Sequence, residues 1–136
     1  MNLKESIKKH EGLELKPYRC SAGKLTIGWG RNLQDRGVTR AEAEAMLDLD
    51  ILEARTAADR FKWFWLLDRL RQDVVVEMVF NLGLPKFLGF KKMIQALREQ
   101  DYEEARVQML DSKWANQVGQ RAITLADKMW GENVDS

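Results

Sequence analysis

The 136-residue chain has one cysteine, one histidine, two prolines and no long apolar run. A single thiol cannot form an intramolecular disulfide, so a packed core must hold the fold. No stretch approaches the roughly 20 apolar residues of a membrane span. Lys4, Lys8 and Lys9 interrupt the start, where a signal peptide would place its apolar segment. The expectation is a protein that accumulates in the cytoplasm as made, without membrane insertion. Neither charge sign prevails: 22 basic and 21 acidic residues leave a formal net charge of +1, which makes no case for a nucleic-acid binder. No cluster of His, Cys or carboxylates has metal-ligand spacing, and no glycine-rich phosphate loop is present. No metal or other cofactor is therefore expected. Repeats, low-complexity segments and flexible linkers are also missing, which points to one domain over residues 1–136 and, with no long apolar face uncovered, to a monomer.

What is present is a globular composition, 45% hydrophobic. The charges are unevenly placed. Residues 1–40 carry nine Lys/Arg against four Asp/Glu, and residues 41–60 carry two against six. A basic first part suits an anionic polymer, with an attraction that salt weakens, or it is an ordinary solvated surface.

Residues 10–31 do things that a core does not need. A helical pattern opens at Asn2, a good N-cap, carries Leu3 and Ile7 as its apolar stripe, and stops at Gly12. Glu11 is left on the last turn, where the negative end of the helix dipole and partial burial would favour its protonated form. Leu13 and Leu15, then Leu25 and Ile27, alternate as in half-buried strands, with Ser21-Ala22-Gly23 as the turn between them. Gly28 and Gly30 bracket Trp29 and suggest a bulged or closely approached backbone. A carboxylic acid, a thiol and a hydroxyl (Glu11, Cys20 and Thr26) can thus meet on one small hairpin.

Further on, Arg31 to Val38 read as a short connection, and Thr39-Arg40-Ala41-Glu42 as a capping box. Ala43, Met46, Leu47, Ile51, Ala54, Ala58 and Phe61 then recur at helical spacing. About 20 helical residues span about 30 Å, enough to link two lobes. Trp63, Phe64 and Trp65 are expected in the core. Val74 to Leu82 is apolar apart from Glu77 and Asn81; its valines argue for a strand, its length and the stop at Gly83 for a buried helix. Pro85 and Gly89 break the chain. Amphipathic helices follow at Phe90 to Leu97, Tyr102 to Leu110 (with Asp101 as cap) and Ala122 to Trp130, which Gly131 ends. Glu132 to Ser136 are expected to fray.

Glu11-Gly12-Leu13, Tyr18, Thr26-Ile27-Gly28-Trp29-Gly30, Met78-Val79-Phe80-Asn81-Leu82-Gly83, Lys113-Trp114-Ala115-Asn116-Gln117 and Gln120-Arg121-Ala122 resemble the phage-type lysozymes, the endolysins of glycoside hydrolase family 24. The likeness runs from about residue 3 to about residue 130. Its spacing is specific: Glu, eight residues, Asp or sometimes Cys, five residues, Thr. The resemblance implies a mostly helical α+β fold of lysozyme type. A small antiparallel sheet would lie in an N-terminal lobe at about 1–38, a connecting helix at about 39–61, and a helical lobe at about 62–131, with a cleft between the lobes. It also resolves Val74 to Leu82 as helix.

The implied reaction is cleavage of the β-1,4 bond between N-acetylmuramic acid and N-acetylglucosamine in peptidoglycan glycan strands. Glu11 would be the general acid, with Cys20 and Thr26 holding the water. Most relatives have Asp at the Cys20 position. A thiol of pKa ~8.5 stays largely protonated unless cations such as Arg19 and Lys24 favour the thiolate. Arg121 matches an arginine that faces the catalytic Glu in the family. Asn81, Asn116, Phe80 and Leu33 fall at substrate-binding positions. Arg31 stands where many relatives have His, so an ion pair built on that His does not carry over. As an endolysin, the protein would reach the wall through a holin-dependent membrane lesion. Two other readings stay open on the residues alone: a wall amidase or peptidase with Cys20 activated by His10, and a non-catalytic wall-binding module.

Overall fold

The computed structural model describes residues 1–131; the tail expected at Glu132 to Ser136 lies outside the described residues. The chain forms two compact units, Met1–Met46 and Leu47 onward.

The first unit opens with helix α1 (Leu3–Glu11). Asn2 Oδ1 accepts from the Glu5 N–H at 2.8 Å, and the Glu5 carboxylate accepts from the Asn2 N–H at 3.3 Å. This reciprocal capping box, of a kind worth about 1 kcal/mol, fixes the helix start. Gly12, at φ +73°, ends it by donating its N–H to Lys8 O. Strands β1 (Glu14–Arg19), β2 (Leu25–Gly28) and β3 (Arg31–Asn32) form an antiparallel sheet in that order. Tyr18 lies opposite Thr26, and Thr26 opposite Asn32, with an irregularity between Glu14 and Tyr18.

Two expectations for this unit are corrected. The apolar stripe of α1 is not covered: Leu3 and Ile7 are exposed and no residue of the helix is buried. Leu13 and Leu15 are exposed as well, and β1 buries only Tyr18, in part. Three short strands offer little apolar area, and Thr26 is the one fully buried side chain of this unit among the described residues. The second correction concerns 31–38, which contains β3 and a one-turn helix α2 (Leu33–Arg36) instead of a plain connection. Asn32 Oδ1 caps α2 at the Asp35 N–H, 3.0 Å away. Elements this short leave no periodic pattern to read.

Helix α3 (Arg40–Asp59) starts at the expected capping box: the Glu42 N–H donates to Thr39 Oγ1 at 3.1 Å and the Thr39 N–H to Glu42 Oε1 at 2.9 Å. Of its apolar residues only Ala54 and Ala58 are buried, while Ala43, Met46, Leu47 and Ile51 are exposed. The core that the helix joins thus begins at its last turns.

In the second unit a 3-10 helix (Lys62–Leu66) buries Trp63 and Phe64. Trp65, expected beside them, is exposed and donates its indole N–H to Asp59 O at 2.7 Å. Helix α4 (Arg69–Leu82) is the centre of the core, with Val74, Val75, Val76, Met78 and Val79 buried. It ends at Gly83, as expected. Helix α5 (Leu84–Leu88), begun by Pro85 in its first turn, occupies the segment read as a break and buries Phe87. The amphipathic helices α6 (Lys91–Arg98) and α7 (Tyr102–Leu110, capped by Asp101) follow the pattern. Helix α8 (Lys113–Val118) is capped by Ser112, and α9 (Gln120–Trp130) ends at the left-handed Gly131. Arg71 secures that end, with Nε donating to Met129 O at 2.7 Å and a second nitrogen to Trp130 O at 3.1 Å.

Candidate active site

The hairpin brings Cys20 and Thr26 together. The Cys20 N–H donates to Lys24 O at 2.9 Å and the Gly23 N–H to Cys20 O at 2.8 Å, closing the loop between β1 and β2. Antiparallel pairing of Tyr18 with Thr26 then sets the thiol and the hydroxyl at the same end of the ladder. The half-buried thiol is held below its ordinary value of 9.0. The backbone of Lys24 and then of Ala22 contributes most, against the opposing effect of desolvation. The cations considered from sequence are occupied elsewhere. Arg19 donates to Gly23 O at 3.1 Å, and Lys24 Nζ lies 3.4 Å from Asp35. Backbone dipoles, not side-chain cations, therefore favour the thiolate. Thr26 is 3% exposed and donates its hydroxyl to Lys24 O at 2.8 Å, so its oxygen keeps lone pairs for a water.

Glu11 ends α1 and its carboxyl lies over the β2–β3 turn. A Cβ placed on Gly30 would come 2.5 Å from Glu11 Oε2 and 2.8 Å from Cδ, and Gly30 sits at φ +82°. Only glycine meets both demands. One turn earlier in α1, Lys8 Nζ lies 4.4 Å from the Trp29 ring centroid. The turn that sequence marks as closely approached is thus gripped by two successive residues of one helix face. Glu11 itself is exposed, so the partial burial expected of it is not found.

Arg31 makes a two-pronged ion pair with Glu42, one prong at 2.6 Å, and also donates to Gly37 O at 3.4 Å. The Arg31 guanidinium and then the Thr39 N–H push the Glu42 carboxyl down to about 2, while Glu42 raises Arg31. One carboxylate thereby ties the end of the sheet to the start of α3. Leu33, half-buried at the start of α2, stands beside this lock in sequence.

In the second unit, Arg121 Nε donates to Glu77 Oε2 at 2.9 Å. With Phe80, the pair lines a cavity of about 330 Å³ that also touches Leu47, Ile51 and Arg55. Phe80 is 41% exposed there. Asn81 points elsewhere: its Oδ1 accepts from the Trp114 indole at 2.7 Å. Asn116 is exposed on α8. The cavity thus joins Arg121 with Phe80 and leaves out the two asparagines. Glu77 went unrecognised in the sequence as a partner of Arg121, although a lone charge inside the Val74–Leu82 run was the available signal. His10 Nδ1 meets Ser6 Oγ at 3.4 Å on its own helix, and no hydrogen bond joins it to Cys20 among the described residues.

The family described as phage lysozyme matches residues 8–128. An endolysin from Acyrthosiphon pisum secondary endosymbiont phage 1 is 34% identical over 113 residues, covering 80% of this chain and 74% of its own length. A protein described as probable T4-type lysozyme 1, from Dictyostelium discoideum, is 24% identical over 89% of both chains. A SAR-endolysin from Escherichia phage Mu is 28% identical over 85% of this chain and 72% of its own. With nearly the whole chain matched and the Glu11, Cys20 and Thr26 elements held on one α1–hairpin unit, the protein belongs to the phage lysozyme family and is a lysozyme-type peptidoglycan hydrolase.

Proposed function

We propose that the chain acts as one catalytic domain, an endolysin muramidase that hydrolyses the β-1,4 bond between N-acetylmuramic acid and N-acetylglucosamine. Glu11 gives its proton to the leaving glycosidic oxygen as the bond to the sugar breaks. A water held by Thr26 Oγ1 attacks the oxocarbenium-like carbon from the opposite face, and the Cys20 thiolate takes the proton that this water loses. Glu11 is then a carboxylate and Cys20 a thiol, and exchange with solvent restores both. The product has inverted configuration. Arg121, Phe80, Asn116 and Leu33 contact the glycan, while Asn81 holds the Trp114 indole. The protein works as a monomer, made in the host cytoplasm and admitted to the wall through a holin-dependent lesion. No described helix is long and apolar enough to cross a membrane.

The observation that carries this reading is the Cys20–Thr26 pair, in which the thiol is shifted toward its ionised form beside a buried hydroxyl with acceptor capacity to spare. A thiol that served only as an apolar filler would have no need of backbone donors. Activation of Cys20 by His10 lacks any contact to support it.

The test is product analysis by mass spectrometry on purified peptidoglycan. New reducing ends support the muramidase, whereas new amines would identify an amidase and no cleavage a binding module. Glu11→Gln should cut lysis at least about a hundredfold, the scale of general acid catalysis, and leave the melting curve intact. Near-parental lysis by a folded Glu11→Gln protein would refute the assignment.

A further inference from the structure

A second surface of the helical unit has a composition that the glycosidase reaction does not call for. Between the α5–α6 segment and the start of α8 lies an open groove of about 610 Å³. Four exposed lysines line it, Lys86, Lys91, Lys92 and Lys113, against one acid, Asp111. Neither these four lysines nor Asp111 takes part in an ion pair among the described residues. Five of the seven arginines of the same unit, by contrast, are in ion pairs. Arg55 and Arg69 pair with Asp73, Arg71 with Asp68, Arg106 with Asp127 and Arg121 with Glu77. No lysine of this unit is in an ion pair among the described residues, and the groove gathers four of them along one wall. Like charges gathered along a concave wall focus a positive potential that only an external anion relieves.

We propose that this groove is a non-catalytic binding site for a phosphodiester-linked polyanion of the bacterial envelope. Every cation lining it is lysine, a compact point charge able to bind phosphate. The lysines come from two chain segments that line one groove, so successive phosphates of one polymer can be held together. Phe90, half-buried and edge-on to Trp114 at a centroid distance of 6.1 Å, gives the floor an apolar strip for the carbon backbone between phosphates. Such a site would hold the hydrolase on its wall between cleavage events. Only the source of the polymer rests on the peptidoglycan-hydrolase reading; binding itself needs no turnover.

The test uses the full chain carrying Glu11→Gln, so that binding is read without hydrolysis. Isothermal titration compares a synthetic glycerol-phosphate oligomer, a polyglutamate of equal charge and phosphate-free muropeptides at low and high salt. A lysine facing an anionic surface contributes about a factor of five. Replacing Lys91, Lys92 and Lys113 together by Gln should therefore weaken phosphate-oligomer binding about a hundredfold. A control that replaces Lys4, Lys8 and Lys9, with the same loss of charge, should change it by less than about fivefold. The parental groove should prefer the phosphate oligomer to polyglutamate, and added salt should weaken the binding. Equal affinity for both polyanions, equal losses in the two triple variants, or displacement of bound muropeptide by the phosphate oligomer would each overturn the proposal. The first two would indicate unspecific attraction, and the third a site for substrate peptides.

Discussion

Replacing Gly30 by alanine separates the stability of the first unit from the placement of its acid. The new Cβ would sit 2.5 Å from Glu11 Oε2 and 2.8 Å from Cδ, where ordinary contacts begin at 3.4 Å. The carboxyl must therefore retreat by about 1 Å, since Gly30 belongs to a tight turn and the Glu11 side chain is the freer partner. Alanine at φ +82° adds a backbone cost of about 1–2 kcal/mol. A misplacement of about 1 Å at a reacting group can cost a hundredfold in rate. Gly30→Ala should thus melt lower by that modest amount and lose about two orders of magnitude in wall lysis. The lysis assay is run well below the melting transition, so that the two losses are read independently. Gly12→Ala is the control: its φ is +73°, but nothing lies within 4 Å of a Cβ there, so it should lose stability and keep most of its activity. If Gly30→Ala lyses wall as well as Gly12→Ala does, the position of Glu11 over this turn is irrelevant to catalysis.

Other residues give sharper or simpler tests. Because hydrogen bonds hold the Cys20 thiol below 9.0, parental lysis should rise with pH as the thiolate forms, while Cys20→Asp, ionised from about pH 4 upward, should match or exceed the parent at neutral pH and lack that rise; a folded but inactive Cys20→Asp protein would refute the water-orienting role. Thr39→Ala removes the hydroxyl that accepts the Glu42 N–H at 3.1 Å and should cost about 1 kcal/mol by thermal melting, with little loss of activity at low temperature. The Glu42 carboxyl falls from its ordinary 4.5 to about 2 on folding, so its contribution is complete above about pH 4.5 and is lost as pH falls through 2. Denaturant titrations of Glu42→Gln and parent should therefore differ at pH 6 and converge toward pH 2, and a constant gap would show that the ion pair does not couple to folding.

Several helices were legible from their own punctuation. Asn2 with Glu5, Thr39 with Glu42, and Asp101 with Glu104 are local caps that need no tertiary contact to be read. Gly12, Gly83 and Gly131 mark the ends of α1, α4 and α9. What failed were inferences from apolarity to burial. Leu3, Ile7, Met46 and Leu47 keep helical spacing and are exposed, because spacing states which side chains share a face and not whether anything covers that face. The one-turn helix α2 was hidden for a different reason: four residues are too few to show any period.

The candidate site divides along the same line. The spacing of Glu11, Cys20 and Thr26 marked the residues, but the forces acting on them come from atoms that a sequence does not display. Cys20 is the clearest case. The neighbouring cations Arg19 and Lys24 are the activators that the sequence offers, since oppositely charged groups stabilise a thiolate. Folding instead turns Arg19 to Gly23 O and Lys24 to Asp35, and leaves the backbone of Lys24 and Ala22 to hold the thiol below its ordinary value. Activation by backbone groups has a consequence that activation by cations would lack. Those backbone groups are fixed by the loop closure from Cys20 N–H to Lys24 O, so replacing the Lys24 or Arg19 side chain leaves them in place. Lys24→Gln and Arg19→Gln should therefore leave the thiol titration unshifted, as read by the pH dependence of its alkylation rate. Loop insertions between Ser21 and Gly23 should raise it toward 9.0. If Cys20 acts as proposed, the shape of the turn should matter more to its titration than the charges on it.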